Sequence, residues 1–374
     1  MNAPRSVVEL LQELVRIPSV NPAGDPGTDG VGEARMAAYL ADLLRGWGAA
    51  VELREVEPGR PNVVARFASD REGKPRILFA PHTDTVSVAG MTIDPFGGEL
   101  SGGRIWGRGA SDTKGSMAAM LWALWEERGR LGQLSHEIWF AGLAGEEAGQ
   151  PGAKALAAEE RFDFVIAGEP TGLDVVHAHK GALWLLLTTR GKAVHAADPG
   201  RGVNAIYKMA DVLRVIRDKV APHLATLSHP VLGSPSISAG VIHGGSKTNI
   251  VPDFCRLEVD VRTVPGQEGA EAWILAQLRE VCADLECEAF SSEPMLTDPG
   301  HPLIGALGRC GAKPVGAPWF SDAGVFARHG VPAVALGPGS IAQAHTRDEY
   351  IAVADLEDGV AFFRRFLGEL SSLG

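Results

Sequence analysis

RILFAPHTDT, residues 76–85, runs from an apolar stretch straight into a polar loop. The pattern recurs three times: EIWFAGLA (137–144) leads into GEEAG (145–149), FDFVIA (162–167) into GEPTG (168–172), and VPAVAL (331–336) into GPGSIAQAHT (337–346). Continuous apolar runs of this length read as strands buried on both faces, and the spacing of Lys114–Glu127 and Gly152–Glu160 predicts helices between them. Apolar strands alternating with helices specify an α/β sheet covered by helices.

Working outward, residues 6–16 place Val7, Leu10, Leu11, Leu14 and Val15 on one helical face, and the two prolines of IPSVNP (17–22) end that helix. A second amphipathic helix spans 32–46 and stops near Gly46 and Gly48, and β-rich runs follow at 51–56, 62–67 and 76–80. The Gly-, Pro- and Asp-rich stretch 21–30 reads as a surface loop. The middle of the chain has a different order: strand 181–189, helix 202–218 with Ile206, Ala210 and Leu213 on one face, strands 234–242 and 254–261, helix 267–283, and strand 286–290. This β-α-β-β-α-β order is that of a ferredoxin-like α+β unit. Residues 178–291 are therefore expected to form a domain inserted into a discontinuous, mixed-sheet α/β domain of residues 1–177 and 292–374.

A chain of 374 residues accommodates two domains, and 45% hydrophobic with 22% charged residues is a globular composition. The net charge of -11 argues against nucleic acid as a partner, because phosphate binding needs basic patches. The N-terminal residues carry charges and no apolar core of a signal peptide, and no run approaches the ~18 apolar residues of a membrane span. The four cysteines, Cys255, Cys282, Cys287 and Cys310, form no C-x-x-C pair and read as free thiols of a reducing compartment, so a cytoplasmic protein is expected.

Ligands of open α/β sheets bind beyond the carboxyl ends of the strands. His82 and Asp84, Glu146 and Glu147, Glu169, and His345 all follow such strands, and Asp112 sits just before a helix. Taken singly, each has a plainer reading: a structural histidine, surface charge, or a helix N-cap at Asp112. Their convergence on one rim is what carries weight. Acidic groups crowded together repel one another unless cations intervene, so two divalent ions are expected. Imidazole with carboxylate suits zinc, cobalt or manganese better than magnesium or calcium. The H-x-D spacing lets Asp84 hold the second ring nitrogen of His82 and fix its tautomer. His177 and His179 share a face but lie away from this cluster, and structural roles are expected for them. His136, His223, His229, His243, His301 and His329 show no partner pattern. The GPG of Gly337–Gly339 is either a close backbone approach to a ligand or a plain turn.

The motifs PHTDTV, GRGASDTKG, AGEEAGQPGA, VIAGEP and AHTRDEY, with GKAVHAADPGRGVNAI, GGSKTNIVPD and VDVRTVPG in the inserted unit, cover nearly the whole chain. Their order resembles the dimetal amidohydrolase family of acetylornithine deacetylase, succinyl-diaminopimelate desuccinylase, aminoacylase-1 and the glutamate carboxypeptidases. The resemblance implies that His82 and Glu169 bind one metal, Glu147 and His345 the other, and Asp112 both, with a cis Asp112–Thr113 peptide. It implies that Glu146 is the general base for a bridging water, with Asp84 a further catalytic residue. His195 would reach a partner protomer's site in a homodimer and stabilise an oxyanion, Asn249 and Arg262 would bind substrate, and the inserted unit would serve as lid and dimerisation domain. Pro81, where the family often has Gly, and Gly145, where Asp is common, depart from the pattern without removing a ligand.

The leading expectation is hydrolysis of an N-acyl amino acid of the acetylornithine or succinyl-diaminopimelate type. An exopeptidase acting on short peptides shares the same motifs. A non-catalytic relative should have lost Glu146 or a ligand, and none is missing.

Overall fold

The computed structural model describes residues 4–23 and 30–371. Most of the loop expected at 21–30 therefore lies outside the described residues, as do both chain ends. The chain divides into two compact units: Met1–His177 with Leu296–Val315 and Ser321–Gly374, and Ala178–Met295 with Gly316–Phe320. Residues 292–295 and 316–320, assigned to the first domain from sequence, thus group with the second unit. Both segments adjoin the points where the chain leaves and re-enters the first unit, where apolar periodicity carries no information on the boundary.

The first unit is built on a mixed sheet. In spatial order its strands are Ala50–Glu57, Arg60–Arg66, Glu137–Gly142, Arg76–Pro81, Phe164–Gly168 and Ala333–Ala335, continuing to Val175–His179 where the unit ends. Arg76–Pro81 runs parallel to both Glu137–Gly142 and Phe164–Gly168, and Ala333–Ala335 runs parallel to Phe164–Gly168. The four strands of the opening pattern are thus the parallel core, and their carboxyl ends share one edge. Helix Lys114–Glu127 is buried on nearly every face, as a helix at the centre of a large core must be. It packs with Val7–Val15 and Val353–Glu369, whose Phe363 and Phe366 meet Phe79 edge to face with ring centroids 5.8 and 6.4 Å apart. Ser6 caps the first helix by accepting the Glu9 N–H at 3.2 Å. A small sheet in the order Tyr350–Ala352, Arg104–Trp106, Glu99–Ser101 lies in the same unit.

The second unit has the strand order Ser236–Gly244, Phe254–Thr263, Gly181–Arg190, Glu286–Ser292, all antiparallel. Alternation along the central strands buries Leu183, Leu185, Leu187, Leu257, Val259 and Val261 against two helices. The first of these helices differs from its sequence reading. It begins at Ala205, where the Asn204 side chain accepts the N–H groups of Ile206 and Tyr207, after a short 3-10 turn at Pro199–Arg201. Its buried positions are Ala205, Met209 and Val212, so the expected face of Ile206, Ala210 and Leu213 is rotated by one residue. A wide turn at Ile216–Val220 then re-phases the chain into helix Ala221–Thr226, which has proline in its first turn. The second helix is Ala270–Arg279, shorter than 267–283, because Gly269 before it takes a φ of 93°.

Among the described residues no helix is long and apolar enough to cross a membrane. All four cysteines are free.

Candidate metal centre

His82 directly follows its strand, Glu146 and Glu147 lie on the loop after Glu137–Gly142, and Glu169 follows Phe164–Gly168. His345 lies on the longer loop after Ala333–Ala335, just past a short 3-10 turn at Ile341–Gln343. Asp112 precedes helix Lys114–Glu127, and the Asp112–Thr113 peptide is cis, as the resemblance implies. These loops converge into two ligand sets: donor atoms of His82, Asp112 and Glu169 lie within 4.8 Å of one another, and so do those of Asp112, Glu147 and His345.

Asp112 belongs to both sets through different oxygens. Its Oδ1 is 3.2 Å from His82 Nε2, and its Oδ2 is 3.4 Å from His345 Nε2. Glu147 Oε2 lies 3.1 Å from the same His345 nitrogen. The other Glu147 oxygen, Oε1, is buried with no hydrogen-bond partner. A buried acceptor without a donor is costly, and a cation at this position would satisfy it. The electrostatics agree. Burial, reinforced by Glu169, pushes the Glu146 carboxyl well above its usual range, and burial with Asp112 does the same to Glu169. Burial raises Glu147 as well, against the hydrogen bond from His345. Hydrogen bonds with Asp112 and Glu147 lift the His345 imidazole to about 10. Burial opposes ionisation of Asp112, yet the imidazoles of His345 and His82 hold its carboxyl below the usual range. Crowded carboxylates interleaved with two imidazoles fit a pair of divalent cations.

Two further carboxylates fix the loops. The Asp84 carboxylate accepts the backbone N–H groups of Gly145, Glu146 and Glu147 at 3.1, 3.0 and 3.1 Å, and the Asn21 side-chain amide at 2.7 Å. The expectation that this carboxylate holds the imidazole is therefore modified. His82 Nδ1 is nearer the Asp84 backbone carbonyl, at 3.0 Å, than the Asp84 carboxylate, at 3.4 Å. The ring nitrogen is still fixed by Asp84, but chiefly through its main chain. Glu349 performs the matching task on the other side of the cluster: it is buried, and its carboxylate accepts the N–H groups of Gly109, Ser111 and Asp112 at 2.9, 2.8 and 2.9 Å and Arg108 Nη1 at 2.8 Å. Asp322 is also buried, accepts Gln150 Nε2 at 3.1 Å through Oδ1, and leaves Oδ2 without a partner. Burial raises its carboxyl to about 7. Sequence reading did not single out Glu349, Asn21 or Asp322; for Glu349 the signal was present in the quoted AHTRDEY motif.

The turn geometry accounts for the departure at Gly145, whereas nothing in the structure explains the one at Pro81. Gly145 has a φ of 81°, and a Cβ there would lie 2.7 Å from the Pro151 ring, so an aspartate would not fit this turn. Pro81 packs against Gly168, where a Cβ would come within 2.9 Å of its ring. At Gly337 a Cβ would meet Ser116 Oγ at 2.1 Å and the Glu169 carbonyl at 2.7 Å, so the GPG turn closes on the chain itself.

In the second unit, His195 and Asn249 lie on adjoining segments: His195 bridges Ile250, and the Ala196 N–H donates to the Asn249 carbonyl at 2.9 Å. Both side chains are exposed, and His195 Nδ1 accepts the Ala197 N–H at 3.1 Å. Arg262 is half-buried on its strand and donates through Nε to Asp260 at 2.9 Å. The remaining histidines sit apart from the ligand sets. His177 Nδ1 is 2.9 Å from the Thr297 carbonyl, His179 stacks near Trp319, and His301 caps helix Pro302–Arg309 while stacking on Phe164.

Residues 78–369 match the model of peptidase family M20/M25/M40. The chain is 31% identical to an acetylornithine deacetylase of Vibrio campbellii over 93% of its length and 94% of that protein's. It is 32% identical to an acetylornithine deacetylase of Proteus mirabilis, over 97% and 95% of the two chains. Its fold is shared by an M20 family metallo-carboxypeptidase of Sulfolobus solfataricus, with a TM-score of 0.82 at 20% identity over 99% and 100% of the chains. A dinuclear metal-binding peptidase of the M20 family from Bacillus subtilis shares it with a TM-score of 0.69 at 16% identity over 98% and 96%.

Proposed function

The chain belongs to peptidase family M20/M25/M40, and on that footing we propose that it removes the acyl group from a small N-acyl amino acid by hydrolysing the amide bond with two zinc ions. The observation that carries this reading is the division of the Asp112 carboxylate between two ligand sets, with Glu146 buried beside them. Two divalent ions held there would supply the chemistry of the reaction, making water a better nucleophile and polarising the scissile carbonyl.

The residues act around that centre. His82, Asp112 and Glu169 would hold one ion, and Asp112, Glu147 and His345 the other. His82 donates from Nδ1 to the Asp84 carbonyl, which leaves Nε2 free as the ligand atom. Glu146 takes a proton from the attacking water and delivers it to the leaving amine. Imidazole–carboxylate donors favour zinc, with cobalt or manganese as working substitutes. Asn249 and Arg262 are assigned to substrate binding, Arg262 by donating a planar pair of N–H groups to the substrate carboxylate. His195 is assigned to oxyanion stabilisation in a partner protomer's site. A homodimer is supported by strand Ser236–Gly244, an edge of its sheet that exposes Val241 and Ile242. Four free cysteines suit a reducing compartment, and we place the protein in the cytoplasm.

The test is a panel of N-acetyl and N-succinyl amino acids beside dipeptides, assayed with metal-free and zinc-reconstituted protein. Zinc-dependent release of free amino acid from an N-acyl substrate, abolished in Glu146→Ala, is expected. Preferential cleavage of dipeptides would reassign the chain as an exopeptidase. No turnover of any substrate by protein holding two zinc ions would refute the proposal.

A further inference from the structure

We infer that Glu349 is a positioning residue that pre-sets Asp112 to serve both ligand sets. The inference rests on the two-metal reading above. A carboxylate could stabilise this region in many ways, but the contacts here are specific. One oxygen, Oε1, takes the N–H groups of Ser111 and Asp112, the backbone immediately before the shared ligand. The other, Oε2, takes the Gly109 N–H and the Arg108 guanidinium. The loop from Arg108 to Asp112 therefore wraps one side chain and has little freedom to rotate the Asp112 carboxylate.

The placement follows from the fold. Glu349 directly precedes strand Tyr350–Ala352, which pairs with Arg104–Trp106, the strand leading into this loop. The Gly107 N–H donates to the Glu349 backbone carbonyl at 3.0 Å, which extends the pairing to the residue itself. Glu349 also lies on the segment that carries His345. One residue thus ties a terminal ligand of one set to the ligand common to both.

Replacement by glutamine separates the two halves of the clamp. The amide oxygen can still accept from Ser111 and Asp112, but the amide nitrogen then confronts the Gly109 N–H and the Arg108 guanidinium, donor against donor. Arg108→Lys leaves the three backbone bonds in place and tests the same loop more mildly.

The experiment measures cobalt binding by chelator competition, the visible absorption of the cobalt-loaded protein, and amide hydrogen exchange at Gly109, Ser111 and Asp112 in the metal-free chain. Glu349→Gln is expected to bind at least one cobalt equivalent tenfold or more weakly, to change the ligand-field bands, and to exchange the loop amides faster while core amides of Arg76–Pro81 stay protected. Arg108→Lys should shift the same readouts in the same direction by less, and decides the matter if Glu349→Gln does not fold. Wild-type affinity for two cobalt ions with an unchanged spectrum in both folded variants, or in Arg108→Lys alone if Glu349→Gln does not fold, would overturn the inference. Failure of the wild-type chain to bind two ions would overturn the two-metal reading instead.

Discussion

Asp84 accepts the backbone N–H of Glu146 at 3.0 Å, so the residue that fixes the His82 ring also fixes the main chain of the proposed base. The ligand geometry and the proton acceptor are thereby set by one buried residue, the first through its carbonyl and the second through its carboxylate. Asp84→Asn would turn an amide N–H toward backbone donors in a buried site, at a cost of about 1–3 kcal/mol. The expected outcome is a lower melting temperature and a kcat reduced by more than KM is raised, measured on zinc-loaded protein.

Glu146→Gln leaves both ligand sets intact and removes only the proton acceptor. The variant is expected to retain two metal ions by elemental analysis while kcat falls roughly 10²–10⁴-fold, the usual weight of general acid–base catalysis. Loss of a metal together with activity would instead make Glu146 a ligand.

Asp322 gives a pH dependence with a defined sign. Its carboxyl is raised by burial to about 7 from the ordinary 3.8. A group raised in the folded state stabilises the fold below its unfolded pKa, and that contribution disappears as pH rises through the folded value. The stability that Asp322 contributes to the metal-free wild type should therefore be lost between about pH 4 and pH 7. Asp322→Asn should flatten this slope and be the more stable protein at the alkaline end, as read by thermal unfolding in chelator.

His179 acts in the opposite direction. Burial lowers its imidazole from the ordinary 6.5 to about 4. Its contribution is present above the unfolded value and is lost as pH falls through the folded one. Acid unfolding of the second unit, followed by Trp184 or Trp319 fluorescence in single-tryptophan variants, should shift to lower pH in a His179→Gln variant that still folds.

The proposed contribution of His195 across a dimer predicts complementation. His195→Ala and Glu146→Ala proteins, each inactive alone, should regain about a quarter of wild-type activity when mixed and allowed to exchange protomers, because half of the random pairs carry one complete site. No recovery from a demonstrably mixed dimer would assign His195 to its own protomer or to no site.

Much of the centre was legible because its ligands occupy fixed places in a repeated local pattern. His82, Glu147 and Glu169 each lie within a few residues of an apolar strand's end, and the strand order needed only parallel pairing to bring them together. The inserted unit was readable for the same reason, its alternating leucines and valines marking the buried face of the sheet. Glu349 was not legible as a partner, because what it chiefly holds is backbone N–H, which leaves no mark on the sequence of the held loop; Asn21 was not legible because its amide meets the Asp84 carboxylate from a segment distant in sequence. Asp84 was recognised by spacing as the partner of His82, but the main donors to its carboxylate were not, since they are backbone N–H groups of a loop 61 residues away. The phase of the helix from Ala205 was missed by one residue because the Asn204 cap and the turn before it, not the apolar pattern, set where the helix starts.

The interrupted first unit also bears on how the protein is made. During synthesis His82, Asp112 and Glu169 emerge early, whereas Ala333–Ala335 and His345 appear only near the end. Until they do, strand Phe164–Gly168 has Arg76–Pro81 on one side but lacks its second parallel neighbour, and the second ligand set lacks its imidazole. A ribosome-bound chain halted in the inserted unit would therefore expose a sheet edge to passing chains and holdases, and metal supply would matter most in the last moments of translation.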